Sequence, residues 1–141
     1  MPTRARYMTK VSFLNPQEVA VPTGYSQVVS AENITRLLYI SGQVSINQKG
    51  ETVAVGNLEA QTRQVYSNIA SILESQGASF KDVVKLNTYT TQPESVDVVR
   101  KVRNEFVNKD APPASTFIGV TALADPKFLI EVEAVAIPGD A

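Results

Sequence analysis

The chain has 141 residues, with 13 Lys plus Arg against 14 Asp plus Glu, and neither Cys nor His. A length of this order makes one ordinary domain, able to bury about 68–70% of its unfolded surface. The missing thiols and imidazoles argue against disulfides, a thiolate nucleophile, a Ser-His-Asp hydrolase and the usual zinc sites, while a net charge near zero argues against broad phosphate binding.

The basic stretch Met1-Pro2-Thr3-Arg4-Ala5-Arg6-Tyr7 is followed by no apolar leader core, and no apolar run approaches the ~20 residues of a membrane span. The expectation is a soluble cytoplasmic protein, a single domain over residues 1–141 with residues 1–10 loose. Lys10–Leu14 reads as a short strand that Asn15-Pro16 ends, and Pro22-Thr23-Gly24 as a turn. Residues 26–31 and 37–41 read as paired strands, with Ala31-Glu32-Asn33 as the reversal between them. Asn47-Gln48-Lys49-Gly50 suits a tight turn.

A helix of about twenty residues follows, with Asn57 as N-cap and Glu59 in the first turn near the positive end of the dipole. Leu58, Thr62, Val65, Ile69, Ile72 and Leu73 recur at helical spacing as its apolar face, and Gly77 ends it. Val83–Thr90 is the next strand. Pro93 suits the first turn of a second helix, with Val96, Val99, Val102, Arg103 and Phe106 on its inner side. Asp110-Ala111-Pro112-Pro113 closes that segment. Residues 114–120 form a strand, and Asp125-Pro126 turns into the last one. The order β-β-β-α-β-α-β-β predicts an α+β fold, a mixed sheet with two helices on one face. The other face is then wet or covered by another copy of the chain.

Residues 128–137, Phe-Leu-Ile-Glu-Val-Glu-Ala-Val-Ala-Ile, alternate strictly. Alternation puts Ile130, Val132, Ala134 and Ala136 on one apolar face. Glu131 and Glu133 share the other, roughly 6–7 Å apart. Two carboxylates there form either a solvated exterior or the floor of a site in which a carboxyl acts as acid or base.

Five short motifs occur in a fixed order: Gly24-Tyr25-Ser26-Gln27, Ser41-Gly42-Gln43, Ala60-Gln61-Thr62-Arg63-Gln64 with Asn68-Ile69, Pro112-Pro113-Ala114-Ser115-Thr116, and Ile130-Glu131-Val132-Glu133-Ala134. Together they resemble the RidA family, also called YjgF or endoribonuclease L-PSP, over nearly the whole chain from Asn15 to Ile137. The resemblance implies a chorismate-mutase-like fold and a homotrimer with sheets inside as a barrel and clefts between subunits. It also implies hydrolysis of enamines and imines to ketoacids and ammonia, with no metal or organic cofactor.

By the same resemblance Tyr25 matches a cleft tyrosine, and Ser41 matches the serine that bonds substrate or a bound water. Glu131 matches the glutamate that works through water, and Glu133 a neighbour read as structural. Gly42 allows close approach of a ligand to the backbone. Ser115, Thr116, Phe117 and Ile118 complete the expected substrate-binding stretch. At Ser115 the chain departs from the family pattern. Active deaminases carry Pro-Ala-Arg-Ser here, and that arginine clamps the substrate carboxylate. A serine hydroxyl cannot replace a charged bidentate fork. Arg100 and Arg103 on the second helix, and Lys85 on the strand before it, are the cations that remain as charge partners. Three functions follow as expectations: a hydrolase using a water held by Glu131 and Ser41, a non-catalytic metabolite-binding or regulatory trimer, and RNA cleavage or translational inhibition. The last lacks a basic stripe, an aromatic platform and any His.

Overall fold

The computed structural model describes residues 7–140. Its elements are β1 (Lys10–Leu14), β2 (Val28–Glu32), β3 (Leu38–Gln43), α1 (Leu58–Ser75), β4 (Val83–Thr90), α2 (Val96–Arg103), β5 (Ala114–Gly119) and β6 (Ile130–Ala136). The expected order and the α+β class are therefore present. A 3-10 turn at Pro93–Ser95 precedes α2, so Pro93 opens the helical segment one turn before the α-helix proper.

The strands form two sheets. β3, β6, β4 and β5 make one sheet in that order, in which β4 and β5 are parallel and the other pairs antiparallel. β1 and β2 pair separately as an antiparallel ribbon. The pairing expected between residues 26–31 and 37–41 is thus incorrect. In the ribbon Val11 faces Ala31 and Phe13 faces Val29, and all four are half-buried. Meanwhile Leu38 and Ile40 meet Ala136 and Ala134 of β6, which gives β3 a buried apolar partner that β2 does not offer. The loose stretch expected over residues 1–10 falls largely outside the described residues. At its end the Thr9 amide donates to Asp140 at 2.7 Å, and Lys10 opens β1.

α1 starts as its cap predicts, with the Ala60 amide donating to Asn57 Oδ1 at 3.0 Å. It ends where Gly77 takes φ +68, a left-handed value that lets the Gly77 and Ala78 amides reach back to Glu74 and Leu73. Leu58, Val65, Ile69 and Leu73 are buried against Ile130, Val132 and Ala134 of β6. Tyr66, absent from the predicted stripe, is fully buried and forms a triangle of rings with Phe80 and Phe106, whose centroids lie 5.8 and 5.4 Å from its own. Gln61 is also fully buried. Its amide donates to the Lys127 carbonyl at 2.8 Å and accepts from the Leu129 amide at 2.9 Å, which pins the entry to β6 onto α1.

Both helices lie on one face of the four-stranded sheet, so the strand period of two sorts every side chain. Ile130, Val132, Leu86 and Thr88 point inward with Ser115 and Phe117 of β5. Glu131, Glu133, Asn87, Tyr89, Thr116 and Ile118 lie on the open face. Tyr39, 79% exposed, marks how bare that face is. Among the described residues no helix is long and apolar enough to cross a membrane.

Candidate functional site

Two groups of the expected site residues emerge, one on each side of the sheet. On the open face, β3 breaks register with β6 between Ile40 and Gln43, which sets Ser41 and Gly42 at an irregularity beside Glu131. The Glu131 side chain occupies the space a side chain at Gly42 would need. A Cβ there would lie 2.5 Å from Glu131 Oε1 and 2.8 Å from its Cδ. Gly42 therefore admits a carboxyl group, and the Ser-Gly-Gln turn and the acid of β6 form one unit.

Glu133 is already engaged. Asn87 Nδ2 and the Tyr89 hydroxyl both donate to its Oε1, at 3.0 and 2.8 Å. The Tyr89 phenol is in turn pushed above its ordinary pKa, first by that hydrogen bond, then by burial and by the charges of Glu133 and Glu131. Among the described residues no such fixed pair of donors holds Glu131. Lys85 Nζ donates to Thr116 Oγ1 at 2.8 Å on the same face. Ser41, Lys85, Asn87 and Glu133 line a shallow hollow of about 310 Å³.

The second group lies under β5 on the helix side. A cavity of about 150 Å³ is lined by Tyr25, Thr88, Val99, Arg100, Arg103, Ser115 and Phe117. Tyr25 is brought to it by the loop before β2, which Ser26 ties to the start of β5: its amide donates to the Pro113 carbonyl at 3.1 Å and its hydroxyl to that of Pro112. Gly24 takes φ +78, and a Cβ there would sit 2.5 Å from Arg103 Nη2, so the guanidinium rests on the bare glycine. Burial holds the Arg103 pKa below the usual arginine value, with the like charge of Arg100 acting the same way and Tyr66 the opposite way. The Tyr66 hydroxyl is buried with no well-formed hydrogen bond among the described residues, although the Arg103 charge and the Thr88 hydroxyl both favour its ionised form; burial wins and pushes its pKa upward.

The expected residues thus do not converge within one protomer. Tyr25, Ser115, Phe117, Arg100 and Arg103 share the cavity, whereas Ser41, Gly42, Glu131, Thr116 and Ile118 belong to the open face. Sequence reasoning passed over Thr88 and Val99 in the cavity and Asn87 and Tyr89 around Glu133. The alternation of β4 already puts Lys85, Asn87 and Tyr89 on one face. That Glu133 lies opposite them depends on the β4–β6 register.

A mixed sheet backed by two helices, with a polar open face, is the architecture of a known group of small proteins. The chain belongs to the RidA (YjgF) family: the sequence model described as endoribonuclease L-PSP matches residues 15–138. It is 37% identical over 113 residues to a RutC family protein of Pyrococcus horikoshii, spanning 79% of this chain and 85% of that one. It is 30% identical over 114 residues to the 2-iminobutanoate/2-iminopropanoate deaminase of Dermatophagoides farinae, spanning 80% and 84%. Among solved structures it resembles YyfB of Yersinia pestis, a Rid-family protein of unknown function, with 36% identity, a TM-score of 0.78, and coverage of 91% of this chain and 98% of that one.

Proposed function

We propose that the chain is a cofactor-independent hydrolase that deaminates small imines or enamines in clefts between the subunits of a homotrimer. The observation that carries this reading is the Glu131 carboxyl folded into the space beside Gly42, next to Ser41 and without the donors that immobilise Glu133. Membership of a family with a deaminase among its relatives supports the reaction class. An enamine first takes a proton on carbon and gives one up from nitrogen to become the imine. A water held by Glu131 and Ser41 then adds to the C=N carbon. Glu131 accepts a proton from that water and returns it to the nitrogen, which gives a carbinolamine; the remaining hydroxyl proton then passes through Glu131 to the amine as the C–N bond breaks, so that ammonia leaves and C=O remains. Tyr25, Thr116, Phe117 and Ile118 would shape the substrate pocket.

Because Tyr25 and Ser115 lie on the side of the sheet away from Glu131, a complete cleft needs a second copy whose cavity edge meets the first copy's open face. Glu131→Gln is expected to abolish turnover of 2-iminobutyrate, followed by ammonia release, with a trimer by light scattering unchanged. Full activity in that variant would refute the mechanism, and a stable wild-type monomer would remove the cleft.

The uncharged Ser115 favours a second reading, a trimer that binds metabolites without consuming them. Ligands that raise the melting temperature and are recovered intact would decide for it.

A further inference from the structure

Two arginines line one small cavity that, among the described residues, no acidic side chain lines. Arg100 is the lesser of them: its side chain is 54% exposed and lies 3.9 Å from Asp97. Arg103 is half-buried and has no carboxylate within ion-pair distance among the described residues; its nearest acceptor is Asn104 Oδ1, at 3.3 and 3.4 Å. A partly desolvated cation without a counter-charge is costly unless an anion joins it. The cavity offers the rest of an anion site. Ser115, Thr88 and Tyr25 bring hydroxyl-bearing side chains, and Phe117 supplies an apolar wall. Gly24, by lacking a side chain, leaves room for the guanidinium. The volume equals that of about five waters, enough for a carboxylate with two or three further heavy atoms and too little for a nucleotide.

We infer that Arg103 is the specificity-determining anchor of this site, reaching from α2 to hold the carboxylate of a small organic acid where β5 presents only Ser115. The planar fork suits a carboxylate, which it can grip through two parallel hydrogen bonds. The inference rests on the reading of the cleft given above and names its substrate class: small imino or enamino acids that carry an ionised carboxylate.

Direct binding by calorimetry tests it separately from turnover, with pyruvate as the probe, methyl pyruvate as its uncharged counterpart and inorganic phosphate as a rival anion. Wild type is expected to bind pyruvate better than the ester or phosphate. Arg103→Met should weaken pyruvate binding by about ten- to one-hundred-fold, the loss expected for a charge-assisted pair, while leaving the ester unaffected. Arg103→Lys should lose less, because it keeps the charge without the fork, and Arg100→Met should lose less than threefold, on the order of 0.6 kcal/mol. Melting temperature and light scattering verify that each variant is folded and assembled. The inference is overturned if Arg103→Met binds pyruvate within twofold of wild type, if Arg100→Met loses as much as Arg103→Met, if phosphate outcompetes pyruvate, or if wild type binds no pyruvate. Arg103-dependent binding in a protein that hydrolyses no imine would uphold the anchor and refute the deaminase reading. Imine turnover with KM unchanged in Arg103→Met would do the reverse.

Discussion

Under β5, on the helix side of the sheet, a small cavity is lined by two arginines and, among the described residues, no acid; across the sheet, the open face carries Glu131 and Glu133 over β6. A single backbone serves both because strand side chains alternate. Ile130 is fully buried while Glu131, its neighbour, lies beside Gly42 on the other side. The contrast shows how a small domain keeps an acid and a cation apart on the two sides of one sheet. Within one protomer the sheet and its core separate them, so neither neutralises the other in a simple ion pair. Under the proposed function, a second copy brings opposite sides together and the two charges act on one substrate.

Neighbouring residues of β6 give the sharpest break in that comparison. Ile130→Ala should destabilise the fold by about 2–5 kcal/mol, read from urea unfolding, because it empties space against α1. Glu131→Gln should leave the same curve almost unmoved while removing turnover.

Two glycines separate the sides more finely. A Cβ at Gly119 would lie 2.8 Å from Cγ of the Pro93 ring, which cannot swing away. Gly119→Ala should therefore cost about 1–3 kcal/mol by overpacking. At Gly42 the obstacle is the flexible end of Glu131, so Gly42→Ala should cost less stability than Gly119→Ala. It should lower turnover at least tenfold, about 1.4 kcal/mol of barrier, by displacing the acid.

The smallest expected effect concerns pH. The fold raises the Tyr89 pKa, so it favours the neutral phenol that donates to Glu133. That contribution is complete below the ordinary tyrosine value of about 10 and is lost as pH rises through the higher folded value. Tyr89→Phe should remove one late-titrating phenol from the alkaline absorbance curve, leave that of Tyr66, and flatten the alkaline fall in stability.

Much of this was legible because it is local. The Asn57 cap, the Gly77 stop and the bounds of Val83–Thr90 are decided by neighbours in sequence, and so is the alternation that divides Ile130 from Glu131. Gln61 and Tyr66 were harder to place, since a polar or amphipathic residue is buried only when distant groups, here the Lys127 and Leu129 backbone and the Phe80 and Phe106 rings, receive it.

The sequence by itself determined the class of fold, the order of elements and the face on which each β6 side chain sits, because a backbone period needs no partner. Tertiary structure alone decided that β2 pairs with β1, that Glu131 fills the gap at Gly42, and that Arg103 lies on Gly24 facing Ser115. These are contacts between residues far apart in the chain. Strand register and the space left by two glycines, rather than local preference, set which groups meet.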